Sequence, residues 1–498
     1  MNLVEMLDLN AGKFANKECL RYEGKAITFA GLKAAADRAA GLLQSWGIKK
    51  GDKVAVMSYN TPAFVISFFG ALKAGAAVVP INHKLAAPEV DYILDHSEAG
   101  VFLFDAALEQ TARKVSTSAR IAVMDADVEG FERFEAAMEK APSFQPVEIA
   151  ADDLAEILYT SGTTGKPKGC LHTHSNVLFA GISGAMIMKM DQHDRLLMAM
   201  PIWHSSPLNN WFIGSQFMGA STVLLREYHP LKFLQAVQDE KCTLYFGAPI
   251  SYIMPAQMIP NFSDFDLSSM RCWIYGGGPI SGDVALMLMK KYKSKNFYQV
   301  YGMTEAGPSG TVLYPEDQVS RAGSIGNVAI PGALAIVMNG DREALPGEVG
   351  EIWIKSASMM KGYYKNDEGT AGAFAGGWYK TGDVARVDQD GYLYIVDRTK
   401  DMIVTGGENV YSKEVEDAIA AYPGVVESAV IGRTHPEWGE TVVALIVPKP
   451  DTTIKEDELK AYLAEKLAKY KIPRDIQFVK ELPHTPSGKV KKYELRQM

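Results

Sequence analysis

The chain has 498 residues, of which 47% are hydrophobic and 22% are charged, a length that predicts at least two domains. The formal net charge of −8 provides no basic footprint for nucleic acid, so we expect no such partner. The four cysteines form no CxxC pair, which favours a reduced, cytoplasmic protein without a disulfide framework or a zinc site.

The N-terminal segment lacks the basic start of a secretory signal. The most apolar run, residues 63–81, is interrupted by Lys73, Gly75 and Pro80. This pattern predicts a helix followed by a buried strand rather than a membrane span. Peripheral membrane contact stays open.

Helical and strand patterns alternate through the first 400 residues. Residues 27–48 are typical of a helix, whereas "KVAVMS" and "GVFLF" are typical of strands. This alternation predicts an α/β protein with largely parallel sheets. Residues 347–356 and 377–398 combine short strand patterns with turn signals, and they predict an additional β region.

A domain boundary is predicted near residues 396–401. Beyond it the pattern indicates a compact α+β unit, in which Ser412 is expected to cap one helix, and Thr453 with Glu456 to form a capping box for another. The predicted fold is therefore α/β. It has a large N-terminal domain (1–398) of mixed and parallel sheets sandwiched by helices plus the β region, and a small α+β C-terminal domain (401–498).

The segment "YTSGTTGKPKG", residues 159–169, predicts a loop between two strands. Its glycine amides, hydroxyl groups and lysines are the groups that a polyphosphate needs. It lacks the GxxxxGK[ST] spacing of a Walker A loop. From composition alone, a solvated glycine-rich hairpin is an equally good interpretation.

This segment resembles the signature loop of the adenylate-forming superfamily, which includes acyl-CoA synthetases, luciferases and peptide-synthetase adenylation domains. Six further motifs follow in that family's order: "MPIWHSSPLN", "YGGGPIS", "QVYGMTEAGPSG", "GWYKTGDVARVD", "GYLYIVDRTKDMIVTGGENVYSKEVE" and "TPSGKVKK". The resemblance implies an AMP-forming acid–CoA ligase that uses ATP, Mg²⁺ and coenzyme A. Such an enzyme makes an acyl-adenylate and pyrophosphate, and then acyl-CoA and AMP.

The resemblance also implies roles for individual residues. The expected catalytic group comprises Lys489, Thr304 at the α-phosphate, Glu305 as the magnesium ligand, and His204 at the carboxylate end of the acyl pocket. The residues expected to bind ATP or AMP are Thr160, Ser161, Gly162, Thr163, Thr164, Gly165, Lys168, Gly276, Gly277, Gly278, Pro279, Tyr301, Gly302, Met303, Asp383 and Arg398. Lys400 matches the hinge, and the expected CoA contacts are Gly406, Gly407, Glu408 and Trp438.

Three rival functions share some of these motifs. An amino-acid-activating protein is disfavoured, because residues 201–220 contain no acid to meet a substrate ammonium. A luciferase-like oxygenating enzyme stays open. A non-catalytic nucleotide-binding regulator is disfavoured by the presence of Glu305, Asp383 and Lys489.

The acyl substrate is expected to be a hydrophobic monocarboxylic acid, because the segment after His204 is poor in charge. Gly278 and Gly307 lack side chains and are expected to leave a deep channel, which favours a medium or long fatty chain. An aromatic acid, such as a benzoate or a cinnamate, stays open. Monomer and homodimer are both open.

Overall fold

The computed structural model describes residues 1–160, 166–278, 280–329, 333–399, 401–405, 408–436, 438–450, 452–484 and 490–498. The chain forms two compact units. Unit 1 comprises Met1–Ala335 and Ile354–Tyr379, and unit 2 comprises Ile336–Trp353 and Lys380–Met498. The predicted division into an N-terminal domain (1–398) and a C-terminal domain (401–498) stays a prediction.

Within the described residues, the helices lie mostly in unit 1. They are α1 (Leu3–Lys13), α2 (Phe29–Ser45), α3 (Pro62–Lys73), α4 (Ala87–Ser97), α5 (Glu109–Ala112), α6 (Phe134–Met138), α7 (His174–Ile187), α8 (Ile213–Phe217), α9 (Pro230–Glu240), α10 (Ile250–Met258), α11 (Gly282–Tyr292), α12 (Asp367–Ala373), α13 (Ser412–Ala420), α14 (Glu456–Ala464) and α15 (Lys492–Leu495). A π-helix, Ser206–Phe212, leads directly into α8. Among the described residues, no helix combines the length and the apolar character that crossing a bilayer requires.

The strands of unit 1 that form its two large sheets are β1 (Glu18–Tyr22), β2 (Lys25–Thr28), β3 (Lys53–Met57), β4 (Ala77–Ile81), β5 (Val101–Phe104), β6 (Arg120–Val123), β7 (Glu132–Arg133), β8 (Leu154–Thr160), β9 (Lys168–Thr173), β10 (Arg195–Met198), β11 (Ser221–Leu224), β12 (Leu244–Gly247), β13 (Cys272–Gly276), β14 (Phe297–Gly302), β15 (Gly310–Leu313) and β16 (Val328–Ala329). The later strands are β17 (Ala333–Asn339), β18 (Arg342–Glu343), β19 (Val349–Ser356), β20 (Phe374–Ala375), β21 (Trp378–Val387), β22 (Leu393–Arg398), β23 (Ile403–Thr405), β24 (Glu408–Val410), β25 (Val425–His435), β26 (Gly439–Pro448) and β27 (Asp475–Phe478).

Unit 1 contains a seven-stranded and a nine-stranded sheet, with the orders β7-β6-β5-β3-β4-β8-β9 and β16-β15-β14-β13-β12-β10-β11-β1-β2. Their central strands are parallel, and antiparallel pairs occur at the edges. Helices cover such strands, so the strands are apolar on both faces. The predicted helix-then-strand at residues 63–81 is confirmed as α3 and β4, and Phe64, Phe68 and Phe69 of α3 are fully buried.

Unit 2 contains the α+β region expected at the C-terminus, in which β25 and β26 form a long antiparallel pair and β27 runs parallel to β26. Val415, Ile419, Leu459 and Leu463, on α13 and α14, join one core cluster. Leu495 of α15 joins another. The mixed α/β fold class is confirmed.

The two capping predictions are wrong. Helix α13 begins at Ser412 itself, and both the amide and the hydroxyl of Ser412 donate to the carboxylate of Asp397 instead of capping. Helix α14 begins at Glu456 with Lys455 as its N-cap, so Thr453 lies too early to cap it. In the first case the carboxylate of Asp397, 15 residues earlier in the chain, binds the serine hydroxyl that was expected to cap the helix, and sequence spacing does not reveal such a partner.

Candidate active site

The candidate site of unit 1 is built at the carboxyl edge of the nine-stranded sheet. Strands β13 and β14 are parallel neighbours, so both end at the same edge. The glycines after β13 therefore lie beside the segment that follows Tyr301 and Gly302 at the end of β14. In open α/β sheets ligands bind at this edge.

The glycine-rich segment connects β8 to β9, as predicted, and Thr160 lies directly opposite Lys168 across this antiparallel pair. The Thr160 hydroxyl donates to Oε1 of Glu305 over 3.3 Å. The ammonium of Lys168 lies 4.9 Å from the ring centroid of Tyr363. The intervening residues of the phosphate-loop prediction lie outside the described residues, and their role stays a prediction: Ser161, Gly162, Thr163, Thr164 and Gly165.

The adenine-side prediction concerns the turn after β13. Gly277 has a φ of +86°, a conformation that favours glycine, and a Cβ at Gly277 or Gly278 would meet no atom within 4 Å. Backbone is therefore accessible to a flat ligand at these two positions. Gly276 is packed, since its Cβ would lie 3.0 Å from the Val300 carbonyl oxygen. Pro279 lies outside the described residues.

The segment after β14 places the predicted Thr304 and Glu305 in a short 3₁₀ turn, Thr304–Ala306, that follows Met303. Gly302 is required before the turn, because its Cβ would lie 2.3 Å from the Pro308 carbonyl oxygen. Glu305 is 8% exposed. The turn thus presents one hydroxyl and one nearly buried carboxylate together.

Tyr363 is a contact of Glu305 that sequence reasoning missed. Its hydroxyl donates to Oε1 of Glu305 over 3.3 Å, and the amide of Met360 donates to the Glu305 carbonyl over 2.9 Å. Burial, and then the negative charge of Glu305, raises the pKa of Tyr363 well above its usual value. The phenol therefore stays protonated and keeps its donor.

The expectation that Gly307 leaves an open channel is wrong. Gly307 has a φ of +71°, and a Cβ there would lie 1.8 Å from the carbonyl oxygen of Ser358. The missing side chain serves a close backbone approach, and the space is occupied by Ser358. Only Gly278 of the two positions faces open space.

A magnesium ion fits the chemistry of Glu305. Mg²⁺ prefers hard oxygen ligands and is usually held by one or two carboxylates together with substrate phosphates. Among the described residues, no group of three or more His, Cys, Asp or Glu side chains could hold a metal by itself. Glu305 would hold the ion, which, when bound, supplies positive charge to the phosphate oxygens.

His204 lies in the loop after β10, exposed and just before the π-helix. Its neighbour Ser205 forms a 2.8 Å hydrogen bond between its hydroxyl and that of Thr304, so the segment after β10 and the segment after β14 meet. Ser205 was not among the predicted site residues. Further along the π-helix, Trp211 is 2% exposed and stacks on Phe246, with 5.3 Å between ring centroids and 26° between planes.

Unit 2 contains the pair predicted for the ribose. Asp383 on β21 lies opposite Arg398 on β22, and Nε of Arg398 is 3.0 Å from Oδ1 of Asp383. The Asp383 side chain is 7% exposed, whereas that of Arg398 is 41% exposed. The Arg398 guanidinium holds the Asp383 carboxylate in place. An ionised carboxylate accepts hydrogen bonds, which the two hydroxyl groups of a cis-diol can donate.

The predicted hinge and CoA residues, and the predicted catalytic lysine, are only partly within the described chain. Lys400, Gly406, Gly407 and Lys489 lie outside it, and their roles stay predictions. Glu408, on β24, is exposed. The ring of Trp438 stacks on His435 at 4.2 Å between centroids, and the Arg474 guanidinium lies 3.4 Å from the same indole.

The order of the sequence motifs and the mixed α/β fold together define the class of adenylate-forming enzymes. The family model of AMP-binding enzymes matches residues 7–364, and the model of the AMP-binding enzyme C-terminal domain matches residues 414–489. The chain belongs to the AMP-binding enzyme family. It is an AMP-forming acid–thiol ligase that uses ATP, Mg²⁺ and coenzyme A.

Similar proteins cover nearly the whole chain. A feruloyl-CoA synthase of Amycolatopsis sp is 36% identical over 96% of this chain and 95% of its own. The long-chain-fatty-acid–CoA ligase FadD13 of Mycobacterium tuberculosis is 37% identical over 95% and 93%. The solved o-succinylbenzoate CoA synthetase (MenE) of Bacillus subtilis, in complex with the acyl-adenylate intermediate OSB-AMP, has a TM-score of 0.88 at 29% identity, covering 99% and 97%.

Proposed function

We propose that this enzyme activates a hydrophobic monocarboxylic acid that carries an aromatic ring, and transfers it to coenzyme A. The observation that carries the proposal is the segment after His204, which contains no acidic or basic residue as far as Ala220 and includes Trp211 and Phe212. Pro207–Phe212 of the π-helix are buried, and Trp211 stacks on Phe246. Residues 201–220 contain no Asp, Glu, Lys or Arg to bind a second charged group of the substrate.

One further observation and one general principle favour an aromatic acid over a long aliphatic chain. The space expected behind Gly307 is occupied by the Ser358 backbone, which removes one of the two positions argued to lengthen the pocket. Aromatic side chains also pack well on aromatic ligands, through offset or edge-to-face contacts. The relatives named for feruloyl-CoA and for long-chain fatty acids act, by name, on hydrophobic acids of both kinds.

The proposed chemistry has two half-reactions. A carboxylate oxygen of the acid bonds to the α-phosphorus of ATP, the bond from that phosphorus to the bridging oxygen breaks, and pyrophosphate leaves. The CoA thiolate then bonds to the acyl carbon, and AMP leaves with the electron pair of the broken C–O bond. Both steps demand preorganised charge more than covalent help from the protein.

We assign the residues of this chain to parts of the substrates. Thr160 and Lys168 hold the β- and γ-phosphates, and Thr304, held by Ser205, contacts the α-phosphate. The backbone of Gly277 and Gly278 lies against adenine with Tyr301 on its other face, and Asp383 with Arg398 receives the ribose. His204 positions the carboxylate end of the acid.

ATP–pyrophosphate exchange over a panel of aliphatic, aromatic, dicarboxylic and amino acids tests the proposal. We expect an aromatic monocarboxylic acid to give the highest kcat/KM. Trp211→Leu should lower this preference, whereas Trp211→Phe, which keeps a ring, should largely retain it. A free amino acid, malonate or a long-chain fatty acid as the best substrate would overturn the aromatic assignment.

A further inference from the structure

The buried side chain of Asn60 holds the main chain that leads to His204. The Asn60 Oδ1 accepts from the amide of Ile202 over 2.7 Å, and its Nδ2 donates to the carbonyl of Met200 over 3.0 Å. Asn60 is 1% exposed. The backbone just before Trp203 and His204 is therefore fixed, and the orientation of their side chains needs a separate cause.

Trp203 supplies a wall for His204. The two rings are stacked, with 4.9 Å between their centroids and 29° between their planes. The indole Nε1 of Trp203 donates to Nδ1 of His83 over 2.9 Å. This hydrogen bond selects one rotation of the indole, because a tryptophan has only one polar atom to orient it.

The imidazole of His83 is held in one position and accepts the hydrogen bond from Trp203. It follows β4 of the seven-stranded sheet, its side chain is 7% exposed, and its ring lies 4.3 Å from that of Tyr59. Since Nδ1 accepts, the proton of the neutral ring resides on Nε2, which faces Glu227 at 4.0 Å. Burial, and then the charges of Lys84 and Arg226, lowers the pKa of His83 to about 4, so the ring stays neutral at physiological pH.

The Tyr59 ring is itself anchored. The guanidinium of Arg226 lies 4.5 Å from the Tyr59 ring centroid and bonds at 2.6 Å to Asp105, whose side chain is fully buried. An ordered row of side chains thus extends from Asp105 to His204. Packing on both sides of His83 leaves its imidazole little freedom to turn away from Trp203.

We propose that His83 is a positioning residue for the acyl end of the active site: it accepts the Trp203 indole proton and, through the stacked indole, sets the orientation of His204. His83 touches no reacting atom in this role. The inference rests on the proposed function only in that His204 contacts the acid. It deepens that function, because it makes the orientation of His204 depend on a residue that follows a strand of the other sheet.

Kinetics of pyrophosphate exchange with the best acid of the panel provide the first test. His83→Phe keeps a ring but removes the acceptor, and Trp203→Phe keeps a ring but removes the donor. We expect each to raise KM for the acid about tenfold while KM for ATP changes less than about twofold. The double variant should be no worse than the worse single variant, because both remove the same hydrogen bond. His83→Gln, which restores an acceptor, should recover part of the loss.

The exposed His193 provides the matched control, and His193→Phe should behave as wild type. Unchanged KM for the acid in His83→Phe, or additive losses in the double variant, would overturn the inference. If no acid of the panel supports exchange in the wild type, the proposed function fails instead.

A spectroscopic readout tests the inference independently of turnover. In protein labelled at its nine histidines, the His204 ring signal, assigned by its loss in His204→Ala, should be shifted by the current of the stacked indole. His83→Phe should move that signal toward the value of an unstacked histidine, and His83→Gln should restore it. A His204 signal that is the same in wild type and His83→Phe would contradict the positioning role.

Discussion

The phenolic hydroxyl of Tyr363 and the carboxylate of Glu305 are joined by a 3.3 Å hydrogen bond, although 58 residues separate them in the chain. The bond reaches the same oxygen, Oε1, to which Thr160 donates. A carboxylate that holds a metal ion is usually oriented by such donors, and their loss weakens metal binding or activity.

Tyr363→Phe should therefore raise the Mg²⁺ concentration needed for half-maximal pyrophosphate exchange, by about tenfold. The measurement is a magnesium titration at saturating ATP and acid. Tyr364→Phe is the matched control, because the neighbouring hydroxyl bonds to the surface residue Glu98 at 2.9 Å. An unchanged magnesium requirement in Tyr363→Phe, or an equal rise in both variants, would count against the orienting role.

The buried Glu156 predicts a pH dependence of stability. Its side chain is fully buried, with one hydrogen bond from Asn209, and burial raises its pKa to about 7. Because the folded-state pKa lies above the unfolded value, the unfolded chain releases its proton first, and stability falls as pH rises from about 4.5 to about 7. Replacing Glu156 with a residue that does not titrate should flatten the dependence of the free energy of unfolding on pH over that range.

Glu156→Gln replaces the carboxyl with a neutral amide of similar shape. It should remove up to about 3 kcal/mol of the decrease in unfolding free energy that accompanies the rise in pH. Urea unfolding at pH 5 and at pH 8 measures the difference, and the relevant quantity is the slope with pH rather than the absolute stability. The exposed Glu139 provides a control in Glu139→Gln. Identical pH slopes for wild type and Glu156→Gln would show that Glu156 titrates normally.

Asp383 is expected to recognise the ribose. Asp383→Ala should raise KM for ATP about ten- to a hundredfold, since it removes hydrogen bonds to a charged acceptor, and should leave KM for the acid nearly unchanged. Wild type should discriminate against 2′- and 3′-deoxy-ATP, and the variant should not. The exposed Asp390, in the same hairpin, is the control. Full discrimination retained in Asp383→Ala would place the ribose elsewhere.

Lys489 is expected to serve only the first half-reaction, by bringing an ammonium to the acyl carboxylate and the α-phosphate. Lys489→Ala should lower adenylate formation about a hundredfold or more, yet make thioester from preformed acyl-adenylate and CoA at near the normal rate. Lys491→Ala is the neighbouring control. Lys400→Pro should instead slow thioester formation and leave adenylate formation near normal, because proline fixes φ at the proposed pivot. Equal losses in both half-reactions of Lys489→Ala would contradict this division.

The sequence by itself determined the parallel α/β architecture and the position of the glycine-rich loop, because both follow from patterns within a few residues. The alternation of apolar runs predicted α3, β4 and β5, and the turn-forming residues after "LAEILYT" predicted the end of β8. Signals of this kind depend only on residues that are neighbours in the sequence, so they can be recognised without knowing which distant parts of the chain are in contact.

Only the tertiary structure decided which distant groups complete the site. Tyr363 reaches Glu305, Ser205 reaches Thr304, and His83 reaches Trp203 across 58, 99 and 120 residues. The same holds where local rules failed: the Ser358 carbonyl fills the space beside Gly307, and Asp397 takes the hydroxyl of Ser412. In each case a partner far along the chain outcompetes the local preference, since packing brings together donors and acceptors whose spacing carries no periodic signal.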